Sequence, residues 1–318
     1  MSAPRPLAPF RPGRTVRNVA RAVAATLLVA LPAAAQAPRP DAAPAAQAQA
    51  QAQAHAQAQA QAQEGRPNIA GADTMLAHRA SYRLSFDRAR DNSNIAFAQG
   101  GMSFEVLDAC DGWTTSQRLT LEISDRDGQR IETMSDYNTY ESKDGRRLRF
   151  SMTQTSQGAV SSRIVGEATL EADGSGVVRY EQPTAREVRL PPGTLLPMMH
   201  TIRAIDAARN GQRLLVAPLM DGTNEEGAQD STTLMLSWDG NGPAEPRFPT
   251  LANQSSARMR IAFFDRDQQS QSGGAAAPEY EVGLRYFANG VADDMKMEFG
   301  EFSLNGRMET LEALPGGC

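Results

Sequence analysis

Apolar and polar residues alternate along the chain from about Leu76 onward, with the period of two that is typical of β-strands. In the first run Ala80, Tyr82 and Leu84 share one face, and Arg83 falls on the other. The later runs are 102–106, 113–123, 131–140, 148–155, 161–170, 177–181, 186–190, 213–219, 232–238, 259–264, 280–287, 295–302 and 307–313. With the first run these are fourteen segments, from which we expect about twelve strands.

Short turn sequences separate many of these runs. Asp127-Gly128 and Asn289-Gly290 are typical of tight hairpins, because such residues tolerate the positive φ angles that these turns need. Asp144-Gly145 turns the chain between two further runs. Consecutive strands joined in this way pair as antiparallel neighbours.

One segment departs from the period of two. Pro197 suits the first turn of a helix, and Asn210-Gly211 suits its end. Between them apolar residues recur at helical spacing: Met198, Ile202, Ile205 and Ala208. The sequence therefore predicts a mainly β protein: a long antiparallel, strongly curved sheet with one amphipathic helix packed on or in it. Residues 76–318 are expected to form this single domain.

The N-terminal 35 residues are typical of a secretory signal peptide. Five arginines and no acidic residue precede a short apolar stretch, and small residues at Ala33 and Ala35 suit cleavage after Ala35. The apolar stretch is about half the roughly 20 residues that a membrane span needs, so no span is expected after cleavage. Gln36 follows where a lipoprotein would have cysteine. We therefore expect an exported, unlipidated protein of the bacterial periplasm.

Residues 36–75 form a second segment, whose part from Ala42 to Gln63 is nearly pure alanine and glutamine without the side chains that build a core. We interpret it as a disordered spacer. Loss of the signal peptide would change the net charge from −5 to −10. An acidic protein of this kind is poorly suited to bind a phosphate backbone, so nucleic acid is not expected as a partner.

The chain has two cysteines, Cys110 and Cys318, and in an exported protein the simplest interpretation is a structural disulfide between them. The alternative is a redox-active or intermolecular thiol. No CxxC motif is present, and no lysine, arginine or histidine adjoins Cys110 to lower its pKa. A bond between them would close almost the whole domain, which is worth roughly 5 kcal/mol in the chain-entropy estimate.

The three histidines do not suggest a metal or catalytic site. His55 lies in the alanine–glutamine tract, and no ligand spacing links His78 with His200. His200 falls on the predicted helix, away from its apolar stripe. We expect it on the helix surface or facing the sheet, rather than acting as a catalytic base.

Other chemical motifs are also weak. There is no G-x-S-x-G nucleophile motif and no glycine-rich phosphate loop, so no catalytic, cofactor or metal residue is predicted. Asp125-x-Asp127-Gly128 resembles a calcium loop only in part, because Arg130 and Asp136 occupy the positions where such a loop has glycine and glutamate. The acidic loop 221–230 is interpreted as solvated, with a weak surface ion as the alternative.

Several short motifs follow one another between about Leu76 and Cys318: Leu76-Ala77-His78-Arg79-Ala80-Ser81-Tyr82-Arg83-Leu84, Ala109-Cys110-Asp111-Gly112-Trp113, Pro191-x-Gly193-Thr194-x-x-Pro197-x-x-His200, Met220-Asp221-Gly222 and Tyr286-Phe287-Ala288-Asn289-Gly290-Val291. In this order, and with the two cysteines, they resemble the EipB family of alphaproteobacterial periplasmic proteins linked to cell-envelope integrity. The alanine–glutamine tract and Met220, where an aromatic residue is usual, depart from the family pattern.

The resemblance implies a sheet that spirals around a helix, closed by a disulfide matching Cys110–Cys318, in a fold similar to the half-open barrels of lipoprotein carriers. It implies no catalytic residue. We therefore expect a non-enzymatic, monomeric protein that supports envelope integrity, with an unidentified lipid, lipoprotein or envelope protein as its partner. The alternative is an envelope hydrolase or peptidoglycan-acting enzyme whose site is assembled from distant residues.

The predicted disulfide can be tested on protein recovered from the periplasm. A thiol-reactive label applied to the denatured, unreduced protein should find no free cysteine. Cys110→Ser should lower the melting temperature under oxidising conditions, because the unfolded chain gains entropy, and should have little effect under reducing conditions. Equal melting of both proteins in oxidising buffer would show that no such bond contributes to stability.

Overall fold

The structure, a computed structural model, describes residues 71, 74–242, 244, 246–266 and 277–316. The predicted signal peptide and spacer therefore lie outside the described residues, apart from the last few positions of the spacer. In chain order the elements are β1 (His78–Ala89), β2 (Ile95–Asp108), β3 (Gly112–Asp125), β4 (Arg130–Ser142), β5 (Arg147–Ser156), β6 (Ala159–Leu170), β7 (Gly176–Gln182), β8 (Arg186–Leu190), α1 (Pro197–Arg209), β9 (Leu214–Leu219), β10 (Gln229–Asp239), a short 3-10 helix (Pro249–Leu251), β11 (Ser256–Phe264), β12 (Tyr280–Phe287), β13 (Ala292–Glu298) and β14 (Phe302–Ala313).

The strands form one antiparallel sheet in the order β8-β7-β6-β5-β4-β3-β2-β1-β14-β13-β12-β11-β10-β9. Chain neighbours pair throughout, except β8 and β9, and the first strand pairs with the last. The chain leaves the sheet at its β8 edge and returns at its β9 edge, with α1 in between. Among the described residues the two edge strands do not pair with each other, so the sheet is not closed into a barrel.

The predicted mainly β architecture with one helix is confirmed, with fourteen strands in the described part of the chain in place of about twelve. One predicted strand, 295–302, is wrong at its end. The chain turns at Phe299–Glu301, where Phe299 donates its N–H to Phe302 and Gly300 has a φ of 79°. The apolar character of the sequence continues through this turn because Phe299 and Phe302 remain partly buried. Their rings stack on each other, with centroids 5.2 Å apart.

The short segment between β8 and α1 fills part of the gap at the β9 edge. Leu195 donates its N–H to Pro218 and accepts a hydrogen bond from Met220, which forms an isolated parallel bridge beside β9. This contact anchors the start of the helical connection to the returning strand. It leaves Leu214 and Val216, farther along the same edge strand, exposed.

Helix α1 is buried on most of its circumference. Ile202, Ile205 and Ala208, from the predicted stripe, are buried as expected. Met199, His200, Ala204 and Ala207 are buried as well, so the helix packs inside the curve of the sheet and not on its outside. Its end is as predicted: Gly211, with a φ of 73°, donates its N–H to Ala208.

The start of α1 is held by a side chain from the sheet. Leu196 at the N-cap position has no side-chain oxygen, so it leaves the first N–H groups of the helix without a local partner. Glu141 of β4 supplies one: its carboxylate accepts hydrogen bonds from the N–H groups of Met198 (2.7 Å) and Met199 (2.9 Å). Burial raises the pKa of Glu141 to about 8, against the opposing effect of these two hydrogen bonds.

We expect Glu141→Ala to lower the free energy of unfolding by about 2–4 kcal/mol, because two buried N–H groups would lose their acceptor. Glu141→Gln should cost less, since its amide oxygen can still accept one of the two hydrogen bonds. Chemical denaturation followed by circular dichroism would measure both.

Glu132 is the matched control for this experiment, because it lies on the same strand with an exposed side chain. Glu132→Ala should change the unfolding free energy by no more than about 0.5 kcal/mol. An equally small effect of Glu141→Ala would show that the carboxylate does not hold the helix.

Candidate functional site

A cavity of about 380 Å³ lies on the inner face of the sheet beside α1. Strands β2 to β5 line one side, β11 to β13 line the other, and Met198 and Thr201 of α1 contribute from the helix. The curvature of the sheet thus brings strands that are far apart in its pairing order to face one another. The strongly curved sheet that the sequence predicted therefore borders a defined cavity.

The wall formed by β11 to β13 is mainly apolar. Its side chains are Ile261, Phe263, Val282, Leu284, Met295 and Met297, together with Tyr280 and Tyr286. Tyr280 stacks on Phe263, with ring centroids 5.7 Å apart. Methionine and aromatic side chains provide a surface that adapts to the shape of an apolar ligand.

The wall formed by β3 and β4 is polar. Thr115 of β3 lies opposite Thr139 of β4, Gln117 lies opposite Tyr137, and Ser135 lies one step further along β4. The threonine, glutamine and serine side chains here make no hydrogen bond to any described residue, although each borders the cavity. They are therefore available to a ligand.

The loop between β9 and β10 covers one end of the cavity. Asp221 and Thr223 line the cavity, and the Tyr137 hydroxyl donates a hydrogen bond to the Asp221 carbonyl oxygen. Gly222, with a φ of 77°, lies directly on the Phe150 ring, where a Cβ atom would collide with it. The Gly227 N–H group donates to the Tyr180 hydroxyl at 3.0 Å.

These contacts correct the interpretation of residues 221–230 as a solvated acidic loop. Gly222, Gly227 and Ala228 are buried, and burial raises the pKa of Asp221. Position 222 is glycine because the backbone passes close to the ring of Phe150 there.

His200 borders the cavity and faces the sheet, one of the two positions that we expected for it. Its Nε2 atom lies 3.2 Å from the Thr233 hydroxyl and 3.4 Å from the Ser231 hydroxyl. Burial lowers the pKa of His200 to about 4, which keeps the ring neutral. Ser231 is fully buried and donates its hydroxyl to the Ala217 carbonyl, so this Ser–His pair does not have the geometry of an exposed, activated nucleophile.

His78 lies at the start of β1, packed against Phe104 at 5.6 Å between ring centroids. Its Nδ1 atom is 2.7 Å from the Leu76 carbonyl oxygen, and its buried Nε2 atom has no hydrogen-bond partner. Burial lowers the pKa of this ring as well. The structure does not bring His78 together with His200 into a common ligand set.

The Asp125–Gly128 segment is a hairpin turn as predicted, in which Asp125 Oδ1 accepts hydrogen bonds from the N–H groups of Asp127 and Gln129. Within the described residues no three acidic, histidine or cysteine side chains are grouped as a metal site would need. Within the same residues no helix has the length and apolar character needed to cross a membrane.

Cys110 lies in the turn between β2 and β3, with a φ of 71°, and donates its N–H to Asp108 Oδ1. At the other end of the domain Leu314 donates its N–H to Ala77, just before β1. Since β1 lies next to β2, Leu314 is about two strand spacings, roughly 10 Å, from the β2–β3 turn. Cys318 lies outside the described residues, so the disulfide stays a prediction.

An open antiparallel sheet, curved around one helix with a cavity between them, defines a β-barrel-like class of protein. The chain belongs to the EipB-like family, whose model matches residues 69–315.

A curated protein and a solved structure from Brucella abortus are similar to this chain. The cell envelope integrity protein EipB of strain 2308 is 30% identical over 260 residues, which is 80% of this chain and 89% of that protein. A crystal structure of a beta-barrel-like protein, a domain of unknown function, matches with a TM-score of 0.68 at 26% identity and covers 76% of this chain and 99% of that chain. The resemblance predicted from the motifs is therefore confirmed.

The polar wall of the cavity and the role of Glu141 were not predicted from the sequence. A signal for the wall is present in β3, where the inner face is apolar at Leu119 and Leu121 and turns polar at Gln117 and Thr115. A strand that faces a packed core would continue with apolar residues. The change from apolar to polar side chains on an inward face is what indicates a cavity.

Proposed function

We propose that this protein supports the integrity of a bacterial cell envelope without catalysing a reaction, by holding an apolar ligand in the cavity between the sheet and α1. The observation that carries the proposal is the cavity itself, with its apolar wall on β11 to β13. Sites for small molecules are typically concave, mostly apolar and furnished with a few polar groups, and this one has all three features.

The envelope role is supported by the relative named cell envelope integrity protein EipB. The location is proposed to be the periplasm, after export and cleavage following Ala35, with the Cys110–Cys318 disulfide formed there. Of the three partners considered, a lipid suits a cavity of this size best. The three-chain anchor of a lipoprotein is much larger than the drug-sized ligands that cavities of about 300–1,000 Å³ hold.

The non-enzymatic part of the proposal rests on the chemistry of the cavity. His200, the histidine that borders it, is kept neutral and packed against hydroxyl groups on β10. Its neighbour Ser231 is buried and engaged with a backbone carbonyl. This arrangement stabilises the helix–sheet contact and does not favour the alternative of a hydrolase.

The proposal predicts that filling the cavity abolishes function. Ser135→Phe places a large ring in the cavity, whereas Asn138→Phe places the same ring on the exposed face of the same strand. In a strain that lacks the gene, wild type and Asn138→Phe should restore growth on detergent and on cell-wall antibiotics, and Ser135→Phe should not.

Two checks accompany this experiment. Both variants must reach wild-type levels in the periplasm and keep a cooperative thermal transition, which separates loss of the cavity from loss of the fold. Full complementation by a folded Ser135→Phe protein would contradict the proposal, because function would then not need the cavity.

A further inference from the structure

The polar side chains of β3 and β4 indicate which class of apolar ligand the cavity takes. We propose that the ligand is an uncharged amphiphile with a single acyl chain, whose ester or hydroxyl groups bind the side chains of Thr115, Gln117, Ser135 and Thr139. This inference rests on the proposed function, since it concerns the same cavity.

The first argument is the set of hydrogen-bonding groups that the protein leaves unused. Tyr137, Thr201 and Thr223 also border the cavity, but each donates its hydroxyl to an oxygen of the protein. The four side chains of the proposed subsite make no hydrogen bond within the described part of the chain. These side chains are partly buried and no protein group uses their donors and acceptors, so a ligand with hydrogen-bonding groups can bind them in place of solvent.

Three of these side chains form one compact group: Thr115 and Thr139 are directly opposite each other across β3 and β4, and Gln117 is the next residue of β3 on the same face. Ser135 lies further along the same face of β4, beyond Tyr137 and opposite Leu119. The distance from Thr115 to Gln117 along β3 is about 7 Å, twice the rise of a strand residue. A glycerol ester, with its carbonyl and hydroxyl groups a few ångströms apart, has polar atoms at this spacing.

The second argument is charge. No lysine or arginine is among the described residues that line the cavity, and its histidine is neutral. The carboxyl group of Asp221 lies at the same site. A carboxylate or phosphate placed here would lose its hydration without gaining a cation, which is strongly unfavourable. The ligand's polar end is therefore uncharged.

The third argument is the size and shape of the apolar part. The volume of about 380 Å³ lies near the lower end of the range for small-molecule sites, about 300–1,000 Å³. This volume suits one acyl chain against Met295, Met297 and Leu284 better than two or three chains.

An extended peptide fits this site less well than an amphiphile. A peptide carries N–H and C=O groups at every residue, about every 3.3 Å along its length. Those facing Ile261, Val282 and Leu284 on the apolar wall would lose water on binding and find no hydrogen-bond partner there, which is costly. An amphiphile places its polar atoms at one end and methylene groups along the rest.

Isothermal titration calorimetry of the mature protein with matched probes tests the proposal. The probes are 1-lauroylglycerol, laurate at pH 8, and 1,2-dilauroylglycerol, which share the same acyl chain and differ in charge or in chain number. We expect 1-lauroylglycerol to bind, and the other two to bind more weakly by on the order of tenfold or more.

The polar wall is tested by removing hydroxyl groups while keeping side-chain shape. The double variant Thr115→Val/Thr139→Val should weaken binding of 1-lauroylglycerol by at least about fivefold. The control Thr114→Val/Thr120→Val makes two threonine-to-valine changes on the opposite face of β3. It should leave the affinity for 1-lauroylglycerol unchanged.

The outcomes separate this inference from the proposed function. Equal or tighter binding of laurate or of the two-chain glyceride, or unchanged affinity in the Thr115→Val/Thr139→Val variant, would overturn the inference while an apolar ligand still occupies the cavity. Binding of a neutral extended peptide with no binding of 1-lauroylglycerol would also overturn it. Binding of none of these probes would count against both.

Discussion

Two hydrogen bonds from the first turn of α1 to the Glu141 carboxylate fix the helix against the inner face of the sheet. The position of the helix determines the rest of the interior. Its buried side packs against β9 to β11, and its first turn borders the cavity through Met198 and Thr201. If the first turn moved, the cavity would lose one of its walls.

The open sheet requires this helix. An antiparallel sheet whose edge strands β8 and β9 do not pair cannot enclose its own interior as a closed barrel does. The connection between the edges covers the inner face instead, helped by the loop at Gly222 and Gly227. Because the helix fills only part of that interior, a space remains between β3–β4 and β11–β13, and its two walls differ in polarity.

The strands, hairpins and helix could be predicted from sequence because their signals are local. Alternation sets the face of each strand, Asn289-Gly290 sets a hairpin, and Pro197 with Asn210-Gly211 sets the helix ends. The cap at Glu141 could not be predicted, since its partners are 57 and 58 residues further along the chain. The polar wall depends on the same kind of long-range arrangement: only the curled sheet shows that Thr115 and Gln117 face Val282 and Leu284 across a space.

The central claim is that the cavity holds a neutral acyl amphiphile with its polar end on β3 and β4. A crystal structure of the protein soaked with 1-lauroylglycerol would test it most directly. The account predicts that the glycerol ester lies within hydrogen-bond distance of Thr115, Thr139 or Gln117, with the acyl chain against Met295 and Met297. A ligand with its chain on the polar wall, or one bound only on the outer face of the sheet, would contradict it.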